Sequence, residues 1–248
     1  MTSKMWKKFA AARENYREET ERLSRELPKL GKMQQRLVDS RDGPAYIVET
    51  PVVYNQAMDE MGPKDEIKLI LVGDNPGRRE QAGENRRYLV GPSGKIAERF
   101  FREEPSLGID FRKNVLILNK TPIHTPRTVE LRELCRLGGP SLTEAIAGSQ
   151  LAMVRLLEEF YAALAPVPVW IIGYSEMKKR GIFEVYTDAL KKVTVTFFGQ
   201  LYFYRHFSMN QFTIDLHKQA RPGETTAETL ERIGVAYRER VLGKLEGP

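Results

Sequence analysis

Short runs of aliphatic residues, each closed by a turn and followed by a helix-patterned stretch, constrain this fold more than any other feature. Ile67–Val72 (IKLILV), Val115–Leu118 (VLIL) and Val169–Gly173 (VWIIG) are the clearest. Such runs scarcely alternate apolar with polar, so both faces of each strand must be covered. Helical patterns fall between them. One runs over Ile96–Phe101 after Gly91-Pro92-Ser93. Ser141 with Glu144 forms a capping-box pattern opening a long helix to about Leu164, closed by Pro166 and Pro168. Residues Ser175 to Leu190 read as helical. Val193–Phe198 and Leu201–Tyr204 read as a fourth and a fifth strand, or as a hairpin turning at Gly199. Thr225 with Glu228 opens a last helix to about Leu245. This alternation predicts an α/β fold: a three-layer α/β/α sandwich around a four-stranded parallel sheet. Residues 1–42 are charge-rich with Leu23, Leu27 and Leu30 on one face, ended by Pro28 and Gly31. They predict an N-terminal helical extension packing on a main domain of residues 43–248.

Composition excludes several classes. No stretch of 18 apolar residues occurs, so no transmembrane helix is expected and no membrane partner. The N-terminal MTSKMWKKFAAARENYREE has no apolar core of a secretory signal. A cytoplasmic protein is expected, or a nuclear one in a eukaryote. The single cysteine, Cys135, cannot form an intrachain disulfide or hold a zinc or iron–sulfur centre by thiolates. The three histidines lack metal-ligand spacing, so no metal and no cofactor is expected. A net charge of +6 favours an anionic partner.

Open parallel sheets bind ligands beyond the carboxyl ends of their strands. The residues there are polar. After the first strand comes Gly73-Asp74-Asn75-Pro76-Gly77; after the second, Asn119-Lys120-Thr121-Pro122; after the last, Arg205-His206-Phe207-Ser208-Met209-Asn210. A carboxylate–carboxamide pair, a second carboxamide and an imidazole should therefore meet on one rim. Each has a structural alternative: an Asx turn for Asp74 and Asn75, a loop cap for Asn119, a satisfied core imidazole for His206. Arg78, Arg79, Arg86 and Arg87 flank the expected cleft in two loops, as a phosphate track would require. The alternative there is a solvated loop.

The order G-D-N-P-G, then Y-L-V-G-P-S-G before a helix, then strand-Asn, then strand-H-x-S resembles the uracil-DNA glycosylase superfamily. The likeness spans about residues 66–217. GDNPG is similar to the G-[IM]-N-P-G of the mismatch-specific and single-strand-selective branches. Gly83–Gly94 is similar to a motif of the iron–sulfur branch, although that branch carries four cysteines and this chain has one. Asn119–Pro122 is similar to the N-x-C-P of the single-strand-selective branch. The family's H-P-S is His206-Phe207-Ser208 here, without the proline.

The resemblance implies a monofunctional DNA glycosylase. Such an enzyme hydrolyses the N-glycosidic bond of uracil, or of other deaminated or 5-substituted bases, in DNA and initiates base excision repair. It implies a monomer whose partner is DNA containing such bases. His206 would donate to the leaving base, and Asn119 would accept from N3–H and donate to O4 of uracil. Asn75 positions the attacking water in the N-P-G branches, whereas Asp74 aligns with an implicated carboxylate in others. Both remain candidates, with Asn75 favoured for the water and Asp74 for support. Tyr88 or Leu89 would stack on the flipped base, although a tyrosine before an apolar helix is as readily a core residue. Gly77 stands where the most uracil-specific branch places a thymine-excluding tyrosine. Ser208, Met209 and Asn210 fall in the loop that wedges into duplex DNA in relatives. The loss of the proline favours a second expectation: a catalytically weak member serving as a nucleic-acid or base-binding module. A third, nucleotide binding at the Gly73–Gly77 turn, lacks a supporting phosphate-loop motif.

Overall fold

The computed structural model describes residues 1–197 and 199–244. Four parallel strands form one sheet: β1 (Leu69–Gly73), β2 (Val115–Asn119), β3 (Val169–Ile172) and β4 (Leu201–Tyr204). Their order is β2-β1-β3-β4. Every residue of β1, β2 and β3 is buried, as their unbroken apolar sequences require. The register places Gly73 beside Asn119, and β3 pairs with β1 from Ile70 to Val72. The chain leaves β1 towards β2 on one side and leaves the adjacent β3 towards β4 on the other. The strand ends there open a crevice.

Among the described residues, seven α-helices accompany this sheet: α1 (Ser3–Glu26), α2 (Leu30–Asp39), α3 (Pro92–Glu103), α4 (Glu130–Leu164), α5 (Glu184–Val193), α6 (Gln211–Gln219) and α7 (Thr226–Leu242). α7 opens on the expected capping box, with Thr225 Oγ1 accepting from the Glu228 amide and the Glu228 carboxylate accepting from Thr225 N–H. Leu245 lies outside the described residues. No helix among the described residues is long and apolar enough to cross a membrane.

The N-terminal helix α1 packs on α4 through one buried face. Phe9, Ala12, Tyr16, Thr20 and Leu23 recur at three- and four-residue spacing and are buried. Phe9 meets Phe160 of α4 at 5.4 Å between ring centres. The helical pattern does not stop at Gly31, which lies inside α2; a Cβ there would sit 2.9 Å from Pro51 Cγ.

Two local expectations are corrected and a third is extended. The helix expected from Ser175 begins only at Glu184, after a short 3-10 turn at Tyr174–Glu176. Val193–Phe198 is not a strand: Thr194–Phe197 is a 3-10 helix, and residue 198 lies outside the described residues. Thr194 and Phe197 are buried three apart while Val195 is 73% exposed, so packing imposes a helical spacing on a β-branched segment. The long helix expected from Ser141 begins just after Gly139, whose φ of 67° only glycine adopts easily and whose ψ of −161° is not helical; a preceding helical stretch from Glu130 runs into it, and the two together make α4.

Candidate functional site

The carboxyl ends of β1, β2 and β4 share one open cleft of about 1210 Å³, with Asp74, Asn75, Asn119 and His206 among its walls. Neighbouring parallel strands end level with each other, so residues 46 and more positions apart become neighbours.

Asn119 closes β2 directly beside Gly73. A Cβ on Gly73 would lie 2.6 Å from Asn119 Oδ1, so glycine is what lets this side chain lie across the strand end. Asn119 is 3% exposed, and its Nδ2 is buried without a hydrogen-bond partner among the described residues. An unpaired buried donor costs about 1–3 kcal/mol, and in native proteins such a group calls for an explanation such as a ligand acceptor.

Asp74 does not stand free. Its Oδ1 accepts from Lys120 Nζ at 2.6 Å, and its Oδ2 accepts weakly from Thr128 Oγ1 at 3.4 Å. Lys120 is wholly buried; its ammonium also donates to Ile172 O (2.6 Å) and Gly73 O (3.3 Å), and Phe183 lies under it at 5.0 Å. Three protons thus meet three acceptors. Burial pushes the Lys120 pKa down, opposed by Asp74. Gly173, at φ 79°, leaves space for the Asp74 carboxylate, which would be 2.5 Å from a Cβ there. Lys120 went unrecognised in the sequence because a lysine after a strand normally reads as solvated.

Asn75 is held by its amide nitrogen. Nδ2 donates to Thr125 Oγ1 at 2.8 Å and lies 3.4 Å from the carbonyls of Ile123 and Thr125. Its Oδ1 has no protein partner among the described residues, which leaves an acceptor at the cleft.

His206 follows β4. Its Nδ1 accepts from the Ser208 backbone N–H at 3.0 Å, which leaves Nε2 to carry the proton of the neutral ring. Burial lowers its pKa; nearby Asp74 opposes this and Lys120 adds to it. Neutral imidazole is therefore the favoured form near pH 7. The expected proline is unnecessary for rigidity here. Phe207 is fully buried and stacks on Phe212 at 4.3 Å, while Phe212 N–H donates to His206 O.

The remaining predicted residues divide between cleft and elsewhere. Gly77 lines the cleft, and a Cβ there would meet nothing within 4 Å. Leu89 also lines it, with φ 52°. Tyr88 does not line it. It is 1% exposed; its hydroxyl donates to Val53 O at 2.7 Å and lies 2.7 Å from that of Tyr16. Stacking on a base is thus corrected to a core role, because this hydroxyl finds its partners only inside. Arg78 and Arg79 line the cleft; Arg86 and Arg87 do not. Arg87 is ion-paired with Glu60, which explains why it is turned away. Ser208 and Met209 line the cleft, and Met209 is 80% exposed. Asn210 does not, and its Oδ1 is buried without a partner among the described residues. Met209 and Asn210 both hold left-handed backbone, at φ 52° and 56°.

Two further features escaped the sequence reading. Glu80 is nearly buried and joins the two cleft loops: Oε2 accepts from Gly77 N–H at 3.1 Å and Oε1 from Leu89 N–H at 2.9 Å. Burial raises its pKa to about 7, against the pull of these two amides and of Arg112. Arg41, Tyr46 and Arg127 also line the cleft, from segments outside the resemblance or between its motifs. No group of three or more His, Cys, Asp or Glu among the described residues is placed to hold a metal ion. The sequence matches no protein-family model and no curated protein.

Proposed function

We propose that this protein is a monofunctional DNA glycosylase that hydrolyses the N-glycosidic bond of uracil in DNA and leaves an abasic site. The observation that carries this reading is Asn119, a buried amide with an unpartnered Nδ2 in the cleft that His206 also lines. A carboxamide accepts and donates in one plane. It matches the N3–H and O4 of uracil and mismatches cytosine, which presents the reverse pattern.

Cleavage develops oxocarbenium character on the sugar and negative charge on the departing base. His206 Nε2–H is a preorganised donor for that charge, since Ser208 N–H occupies Nδ1. Asn75 Oδ1 is suited to hold the attacking water, its amide nitrogen being anchored on Thr125. Asp74, held by Lys120 in the cleft wall, is suited to a supporting role, its negative charge facing the cation that develops on the sugar. The open space beside Gly77 supports a range extending to 5-substituted pyrimidines. A monomer working on DNA without a cofactor, in base excision repair, completes the reading.

The test is formation of alkali-labile sites in oligonucleotides carrying uracil, hypoxanthine, xanthine or thymine, single- and double-stranded. Uracil excision is expected, with His206→Gln slower by about 10²–10³-fold, the range for one preorganised donor. No alkali-labile site on any of these bases would overturn the reading. Strand scission without alkali would overturn its monofunctional character. The Lys120–Asp74 pair favours one alternative, because both carboxylate oxygens already accept hydrogen bonds from Lys120 and Thr128: a cleft that binds nucleic acid or a free base without excising it. Binding without abasic-site formation would select it.

A further inference from the structure

Tyr46 stands at the cleft wall with two guanidinium groups over its ring. Arg78 Cζ is 5.1 Å and Arg41 Cζ 5.6 Å from the ring centre. Neither arginine has a carboxylate within ion-pair distance among the described residues, unlike Arg127, which pairs with Glu130. Arg41 Nε is moreover buried with no hydrogen-bond partner among the described residues. Two like charges on one ring, one with an unsatisfied buried donor, are costly unless an anion bridges them.

The ring itself is bolted to the turn after β1. Pro76 O can only accept, so His124 Nδ1 donates to it, at 2.8 Å. His124 Nε2 is then the acceptor for the Tyr46 hydroxyl at 3.0 Å. Gln34 of α2 secures the His124 carbonyl at 2.7 Å. The arginines are thereby set at a fixed position relative to Asn75, one residue from Pro76.

We propose that Arg41 and Arg78, gathered over Tyr46, form a clamp for a backbone phosphate of the nucleic-acid strand whose base enters the cleft. The proposal rests on the nucleic-acid reading above and names where the strand is held. A strand suits the site better than a free phosphate ester for two reasons. The cleft, at about 1210 Å³, exceeds the roughly 300–1,000 Å³ of small-molecule pockets. Ile47, Val129 and Met209, exposed by 74%, 54% and 80%, also line it and offer apolar surface to sugars and bases.

The test uses the full chain and a uracil-free, 5′-fluorescein-labelled oligothymidylate, with binding read by anisotropy across a KCl series. Arg41→Gln and Arg78→Gln should each flatten the log–log salt slope by about 0.7, the single-strand value per lost phosphate contact. Arg41→Lys keeps a charge and should keep most of the slope. Arg86→Gln, exposed and off the cleft, should match the unmodified protein. Thermal unfolding of each variant checks that it is folded. Unchanged slopes in both glutamine variants would overturn the clamp. So would displacement of the oligonucleotide by thymidine monophosphate or inorganic phosphate at equal affinity, which would mark an isolated phosphate site. Because the probe carries no uracil, the two readings fail separately. Excision with unmoved slopes removes the clamp alone; flattened slopes without excision remove the glycosylase reading alone.

Discussion

Removing either half of the Lys120–Asp74 pair should have unequal consequences. Asp74→Asn leaves a wholly buried ammonium with neutral acceptors alone, the carbonyls of Ile172 and Gly73 and the new side-chain amide oxygen. Stranding a buried charge costs about 3–5 kcal/mol. Lys120→Met leaves instead a carboxylate whose side chain is 15% exposed, lines the cleft and keeps Thr128 as a weak donor. Cleft water can solvate it, so the loss should fall to about 1–3 kcal/mol, the range for unpaired buried acceptors. The pH response adds a second signature. Without Asp74, nothing opposes the burial that depresses the Lys120 pKa, so the folded value drops further below the unfolded value of about 10.4. The unfolded chain then binds more protons, and stability of Asp74→Asn should rise with pH by up to about 1.4 kcal/mol per unit towards that value. Lys120→Met lacks this group, and the difference between the two variants isolates it. Urea unfolding followed by circular dichroism at pH 7, 8 and 9 measures both effects. A Lys120→Met variant as unstable as Asp74→Asn, or an Asp74→Asn variant showing no extra rise with pH, would refute the reasoning.

Tyr88→Phe should lose about 1–3 kcal/mol of stability by urea unfolding, as the Tyr16 and Val53 partners are stranded, with kcat/KM for uracil excision unchanged; a selective loss of activity would return Tyr88 to the base. His124 is buried with its pKa depressed to about 4, so its contribution is present above the unfolded value of about 6.5 and lost as pH falls towards 4. That loss is about 3 kcal/mol at about 1.4 kcal/mol per unit, and urea unfolding of His124→Gln between pH 4 and 7 should lack it. Glu80, raised to about 7, has the opposite sign: its contribution is present below about pH 4.5 and lost as pH rises through 7. Glu80→Gln should remove that fall in an unfolding series across the same range. Gly77→Tyr should slow single-turnover excision of 5-hydroxymethyluracil more than that of uracil, because a ring would occupy the open space beside Gly77; equal loss on both would place residue 77 away from C5.

The strands and their polar ends were legible from local pattern. Unbroken apolar runs such as Leu69–Val72 can only be doubly covered strands, and parallel strands bring their carboxyl ends together whatever the intervening helices do. Hence Asp74, Asn75, Asn119 and His206 could be assigned to one rim from sequence alone, and the cleft has all four in its walls. The capping box at Thr225 was equally local. What the chain order could not disclose was the direction in which ambiguous side chains turn. Tyr88 and Leu89 are adjacent, yet only Leu89 lines the cleft, because a hydroxyl on the distant helix α1 waits for Tyr88. Arg87 is captured by Glu60, 27 positions away, while Arg78 is drawn to Tyr46. Lys120 is buried because the ends of β1 and β3 supply its three acceptors. Segment Thr194–Phe197 turned helical because its buried residues are three apart once Phe197 packs on Tyr161. Strand identity follows from the period of the chain itself. Burial and ion pairing at a single residue follow from partners that only the folded arrangement supplies.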